Sequence, residues 1–173
     1  MVKNDRDIFA ACMLSMGHGD ALVTGLTRNY TVSLDNISRV INTKTDEFLF
    51  GISLVVAKGK TIFFSDTTVQ ELPTPQQLAH IAIKTAEKAR KMGHNPRVAL
   101  LSFSTFGNPK REKSVRIIDA VKILDGMKVD FEYDGEMSAG VALNKEMMSL
   151  YPFCRLSDTA NVLIMPALHS AHI

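Results

Sequence analysis

Apolar residues along this chain switch between two patterns, a helical spacing and short unbroken runs. Between 5 and 16, Ile8, Phe9, Cys12, Met13 and Met16 share one helical face. Ala21-Leu22-Val23-Thr24 reads as a short strand closed by Gly25. A second helix follows, capped by Thr31 or Ser33 and carrying Leu34, Ile37, Val40 and Ile41. The runs 48–56 and 60–64 flank Lys58-Gly59 as the strands of a hairpin. In the loop 66–75, Pro75 suits the first turn of the next helix, where the N–H it lacks would have no partner.

The clearest element spans 76–92. Its apolar stripe is Leu78, Ile81, Ala82, Ala86, Ala89 and Met92, and Gly93 suits the left-handed residue just past its end. A strand at 98–101 precedes a helix over 110–125, which packs through Val115, Ile118, Val121 and Leu124 and stops at Gly126. A strand at 129–133, a helical stretch over 137–148 and a strand at 161–165 complete the pattern. Strands alternating with helices predict an α/β fold: three layers, αβα, around a largely parallel sheet with a β-hairpin added. Right-handed crossovers bring successive parallel strands out at one edge. The loops after Leu101, Tyr133 and Met165 are therefore expected together at the carboxyl edge, where open α/β sheets bind ligands. Thr24-Gly25-Leu26-Thr27-Arg28 joins them if the strand at Leu22 is also parallel.

Composition narrows the partners. The 173 residues suit a single α/β unit with a real core, and 46% hydrophobic against 22% charged residues is ordinary for a globular chain. A net charge of +2 with scattered basic residues argues against a nucleic-acid partner. Lys84, Lys88, Arg90, Lys91 and His94 gather on one helix, as a solvated face or an anion patch. Cys12 and Cys154 lack metal or redox spacing and read as reduced, buried thiols. No signal peptide or long apolar run is present, so no membrane partner and a cytoplasmic location are expected.

The candidate chemistry lies in the loops. Ser102, Ser104, Thr105 and Asn108 can donate to phosphate oxygens while Gly107 lets backbone approach, or they can cap and turn the chain into the following helix. Asp134-Gly135-Glu136 offers paired carboxylates for acid–base work or for capping a helix. Arg28 is the best single cation for a phosphate, with a surface ion pair as the alternative. His169 and Ser170 have no acid beside them to complete a catalytic set, and no third ligand is spaced for zinc.

Four motifs in order then resemble the phosphate acetyl/butyryltransferase family: His18-Gly19-Asp20-Ala21-Leu22-Val23-Thr24-Gly25, Leu100-Leu101-Ser102-Phe103-Ser104-Thr105, Asp134-Gly135-Glu136 and Ala160-Asn161-Val162-Leu163-Ile164-Met165-Pro166. Asp130-Phe131-Glu132-Tyr133-Asp134-Gly135-Glu136-Met137 and Tyr151-Pro152-Phe153-Cys154-Arg155-Leu156 look like the phosphotransacetylase-like C-terminal domain of bacterial NADP-dependent malic enzymes. The resemblance implies that 1–173 is the second subdomain of a phosphotransacetylase-like unit, excised from a longer chain. It implies a cleft for coenzyme A, with Thr24, Gly25, Arg28, Ser102, Ser104, Thr105, Gly107, Asn108, His169 and Ser170 as acyl-CoA or phosphate contacts. The family's catalytic Ser-Arg pair and following Asp would lie beyond Ile173, and Ser170-Ala171-His172-Ile173 stands where transferases usually carry Ser-Gly-Asn-Ile.

No catalytic or metal residue is therefore expected here. The expected role is an acetyl-CoA-sensing regulatory and oligomerisation domain of an NADP-dependent malic enzyme, homo-oligomeric and joined to the rest of its polypeptide. NADP and a divalent metal would belong to the separate domain that converts malate to pyruvate and CO2. The alternatives are part of an active phosphate acetyltransferase, or a purely structural dimerisation module built on the hairpin.

Overall fold

In the computed structural model, residues 5–45, 47–57, 59–109 and 112–172 are described. The chain divides into two compact units, Met1–Phe48 and Leu49–Ile173.

In the first unit, α1 (Arg6–Ser15) begins at Asp5, whose carboxylate accepts the N–H groups of Asp7 and Ile8. The second helix, α2 (Tyr30–Ser38), is capped by the Asn29 side chain and not by Thr31 or Ser33. Asn caps a helix as well as Ser and better than Thr, and its position starts the helix earlier. The helices bury Asp7 and Ala11, and Ser33 and Asn36, whereas Phe9 (52% exposed), Met13 (41%) and Met16 (70%) do not form the buried face expected of them. Residues 21–24 form no strand: among the described residues of this unit the regular elements are α1 and α2, so the segment has no ladder to join within it.

The second unit is built on a five-stranded sheet in the order β1-β2-β5-β3-β4. The hairpin β1 (Ile52–Ala57) and β2 (Lys60–Ser65) is antiparallel, and β1 starts later than the predicted residue 48. The prolines and the Thr74 capping box lead into α3 (Pro75–Lys91), with Pro75 in its first turn as expected. Next come β3 (Arg97–Leu101), α4 (Glu112–Met127) and β4 (Glu132–Met137). Two short helices, α5 (Ala139–Leu143) and α6 (Lys145–Ser149), replace the single helix predicted over 137–148. Asn144 breaks it with an extended backbone and caps α6. The chain then returns through β5 (Val162–Ile164) to α7 (Leu168–Ala171).

All pairings other than β1–β2 are parallel, and β5 threads between β2 and β3. Side chains alternate across the sheet. Ala99, Leu101, Leu163 and Met165 pack with Val141, Ala142 and Met148 of α5 and α6. Val98, Leu100, Val162 and Ile164 are equally buried and turn to the opposite face, the side of α3 and α4. This is the three-layer α/β architecture the periodicity predicts.

Three details shift. In α4 it is Ile117 (1% exposed) and not Val115 (45%) that enters the core. Gly126 lies inside α4, and Lys128, at φ 50°, takes the left-handed position that ends it. Consequently β4 begins three residues later than predicted, and Asp134-Gly135-Glu136 is strand rather than loop.

Candidate functional site

Because β2, β5, β3 and β4 run parallel, their carboxyl ends share one edge, carrying 66–73, 165–170, 102–108 and Ser138 respectively. Side chains fix these loops. Asp66, 2% exposed, accepts the backbone N–H groups of Gly51, Thr68, Val69 and Gln70 at 2.7–3.2 Å. The Arg116 guanidinium donates to the carbonyls of Pro73 (2.8 Å) and Pro166 (3.4 Å), and the Leu168 N–H to that of Glu71 (3.1 Å). The loops after β2 and β5 are thereby tied to each other and to α4.

The loop after β3 is a tight two-residue turn. Thr105 and Asn108 exchange both backbone hydrogen bonds, and Phe106 and Gly107 take φ of 48° and 86°. The turn's own hydrogen bonds use only its end residues, so the N–H groups of Phe106 and Gly107 are left for other acceptors. Glu136 collects them: its carbonyl accepts from Phe106 (2.8 Å) and its Oε1 from Gly107 (2.8 Å). Ser104, fully buried, also donates to Glu136 Oε1 at 2.9 Å. With that proton used, the Ser102 hydroxyl, 3.0 Å away, donates to Ser104 Oγ. Thr105 Oγ1 accepts from the Ser138 N–H at 3.1 Å. The donors expected to cradle a phosphate at Ser104 and Gly107 thus serve the chain's own carboxylate. Asn108 remains exposed and Ser102 half-buried at the rim.

Asp134-Gly135-Glu136 acts neither as a helix cap nor as an exposed acid–base pair. Ser138 caps α5, and both carboxylates are buried (3% and 1% exposed) with backbone and hydroxyl partners. Asp134 accepts the Arg155 N–H at 2.8 Å, and Glu132 the Ser157 N–H at 2.8 Å, so the outer edge of β4 is stitched to 155–157 by side chains. Gly135 permits this close fit, because a Cβ there would lie 2.8 Å from the Leu100 carbonyl oxygen. Beside it, the Arg155 guanidinium and the Tyr133 hydroxyl converge on Asp125. The Arg155 hydrogen bond, then that of Tyr133, holds the Asp125 carboxyl below its usual range. Burial, then Asp125, pushes the Tyr133 hydroxyl up to about 12.

In the first unit, Thr24, Gly25 and Arg28 line a pocket of about 270 Å³ with Asp7. Their polar groups are committed to it. Thr24 donates to Asp7 at 2.6 Å, and Arg28 reaches Asp5 at 2.7 Å and Asp7 at 3.3 Å. The Thr24 hydroxyl foremost lowers the Asp7 carboxyl, and Arg28 that of Asp5. Arg28 therefore forms the ion pair that was the alternative to a phosphate contact.

In the second unit, His169 is exposed and Ser170 half-buried in α7, on the loop after β5. A groove of about 790 Å³ opens at the opposite, amino edge, lined by Lys60, His94, Arg97, Lys145, Glu146 and Asp158 among others. Within it Lys145 pairs with Asp158 at 3.4 Å, and Arg97 Nε donates to the Thr159 carbonyl at 2.8 Å. Among the described residues, no group of three or more His, Cys, Asp or Glu is arranged to hold a metal ion, and no helix is long and apolar enough to cross a membrane. Cys12 and Cys154 are unpaired and half-buried rather than buried.

Asp66, Arg116 and the positioning role of Glu136 were missed by the sequence reading. Only Asp66 leaves a trace there, as an Asp followed by two Thr after an apolar run, which is the signature of an Asx-type turn.

The model of the family described as "Phosphate acetyl/butaryl transferase" matches residues 1–173. The chain belongs to this family. It is 51% identical over its full length to the NADP-dependent malic enzyme of Rhizobium meliloti (strain 1021), of which it covers 23%. Against the phosphate acetyltransferase of Treponema pallidum (strain Nichols) it is 36% identical, over 95% of this chain and 53% of that protein. The crystal structure of a phosphotransacetylase from Streptococcus pyogenes superposes with a TM-score of 0.85 at 27% identity, over 95% of this chain and 51% of that one. The chain thus spans about a quarter of the malic enzyme and about half of the transferases.

Proposed function

We propose that this chain is a non-catalytic, acetyl-CoA-responsive regulatory part of an NADP-dependent malic enzyme, and that it contributes to assembly of the oligomer. The carrying observation is the Glu136-filled turn at the carboxyl edge. Its inward donors are already satisfied, so the loop offers a rigid wall with Ser102, Asn108 and Ser170 at its rim and no spare oxyanion donors at Phe106 or Gly107. A rigid wall is suited to binding an anionic ligand without a loop-ordering cost. Ser104, Thr105 and Gly107 act in this reading as positioning groups. The 51% identity to a malic enzyme, against 36% to a transferase, supports the regulatory branch. For assembly, the support is β1, an edge strand exposing Leu54, Val55 and Val56. NADP and the divalent metal would belong to the part of such a malic enzyme that this chain, covering 23% of its relative, does not span.

Calorimetry with acetyl-CoA on the full-length protein, paired with malate oxidation with and without acetyl-CoA, tests the proposal. Saturable binding that changes the rate is the expected result; no binding, or binding without effect, overturns it. The second reading, half of an active phosphate acetyltransferase, is favoured by the TM-score of 0.85 to a phosphotransacetylase. Robust acetyl phosphate formation from acetyl-CoA and phosphate by the full-length protein would establish it in place of the first.

A further inference from the structure

An aromatic surface adjoins the turn, and the role assigned so far makes no use of it. The rings of Phe106, Tyr151 and Phe153 form a triangle with centroids 5.0–6.1 Å apart, tilted or edge-to-face. Phe106 belongs to the turn itself, while Tyr151-Pro152-Phe153-Cys154 is a second tight turn, closed by the Cys154 N–H on the Tyr151 carbonyl at 2.9 Å. Pro152 at the first corner stiffens that turn and presents Phe153 at the second. The result is a Phe held by two other rings yet 65% exposed, with Phe103, 59% exposed, on the same loop after β3. A lone exposed apolar residue needs no explanation; a rigid, multi-ring surface contiguous with a ligand wall does.

We infer that Phe153, braced by Phe106 and Tyr151, is a stacking platform for the adenine base of an acyl-CoA whose phosphates lie at the rim of the 102–108 loop. This rests on the acetyl-CoA reading above and names a part of the ligand and its contact that the reading leaves open. A flat purine matches an open ring face. Phe106 is shared between the turn and the platform, so the base would sit next to the rim residues without any loop rearrangement. Arg155, two residues after Phe153, is engaged by Asp125 and packs over the Tyr133 ring at 5.4 Å, so its charge is already committed and the recognition argued for this surface is stacking.

The test uses the full-length protein, with acetyl-CoA and acetyl-4′-phosphopantetheine (which lacks the adenosine) as calorimetric probes. The variants are Phe153→Ala, Phe153→Leu and Phe153→Trp. Phe153→Ala and Phe153→Leu are expected to weaken acetyl-CoA about five- to hundredfold while leaving acetyl-4′-phosphopantetheine unchanged, and Phe153→Trp to retain acetyl-CoA affinity. Equal weakening of both probes, full affinity in Phe153→Leu, or unchanged acetyl-CoA affinity in Phe153→Ala overturns the platform. If Phe153→Ala lowers the ligand-free melting temperature strongly and leaves acetyl-CoA affinity alone, the ring is a packing contact with another part of the protein and the inference fails. If the wild type binds neither probe, the acetyl-CoA reading itself falls and the platform with it. If the wild type binds both equally well, the platform alone falls.

Discussion

Removing the Glu136 carboxylate should loosen the turn at 105–108 in a way that distinguishes one amide from its neighbour. In Glu136→Ala, Ser104 loses its charged acceptor while 0% exposed, and its hydroxyl turns to Ser102 Oγ, 3.0 Å away, so the loss costs about 0.5–1.5 kcal/mol. Gly107 also loses its acceptor, but it lies at the surface and its N–H can rehydrate, which limits that loss to about 0.5–1.5 kcal/mol. The variant no longer strips a carboxylate of water, and this offsets part of both, leaving a net destabilisation of about 1–2 kcal/mol. Glu136→Gln retains an oxygen for both donors and should cost about 1 kcal/mol, the charge-assisted share.

The assay is urea unfolding with a common slope, alongside amide hydrogen exchange read residue by residue. Gly107 exchange should accelerate sharply, and Phe106 much less, because the Phe106 N–H is held by the Glu136 backbone carbonyl, which the substitution keeps. A Glu136→Ala cost below about 0.5 kcal/mol would refute the account, as would Gly107 exchange as slow as in the wild type.

Gly135→Ala should destabilise by about 1–3 kcal/mol and more than Gly51→Ala in thermal melts. The new methyl at 135 meets the immobile Leu100 carbonyl at 2.8 Å and Leu100 Cβ at 2.9 Å, whereas at 51 the tightest contact is the Thr68 hydroxyl, which can rotate away and leave Thr68 Cβ at 3.1 Å. Asp66→Ala strands four N–H groups and should cost about 2–4 kcal/mol by urea unfolding, with Asp66→Asn costing less because one oxygen still accepts. The Asp125 carboxyl is held low by Arg155, so its folded value lies below the unfolded one. Its contribution is present above about pH 4 and is lost as pH falls through the folded value, so Asp125→Asn should flatten the acid limb of a stability–pH profile. For Tyr133, raised to about 12, the sign reverses: stability is present below about pH 10 and is lost toward 12, and Tyr133→Phe should remove an ultraviolet phenolate titration near that value.

The layers and the parallel sheet were legible in the sequence because helical stripes and short apolar runs report burial directly. Leu78, Ile81, Ala82, Ala86 and Ala89 are all fully buried, as their spacing requires, whereas Met92, expected on the same stripe, is the C-cap of α3 and 46% exposed. The run 21–24 misled because β-propensity registers a side chain's fit to a sheet and says nothing of whether a partner strand exists. The β4 boundary slipped for another reason. Acidic residues and a glycine are poor strand formers, yet at an edge strand Glu132 and Asp134 serve as acceptors for a neighbouring loop, a tertiary gain that overrides propensity. Arg116 was illegible altogether, since its partners are the carbonyls of Pro73 and Pro166, 43 and 50 residues away.

The self-filled turn also bears on how a ligand would gain affinity here. Backbone N–H groups in a positive-φ turn attract anions whatever their origin, so hydroxyls and glycine after a strand cannot by themselves distinguish a ligand phosphate from a built-in carboxylate. The distinction comes from the register of the next strand. With β4 beginning at Glu132, Glu136 stands beside the end of β3, Gly135 lets the two backbones close together, and Oε1 reaches both Ser104 and Gly107. A mobile anion would have to displace a tethered one of effectively high local concentration. Under the proposed reading, ligand contacts at this edge would fall to groups the carboxylate does not engage, Ser102, Asn108, Ser170 and the Phe153 surface. Substitutions at Ser104 should change stability before they change affinity.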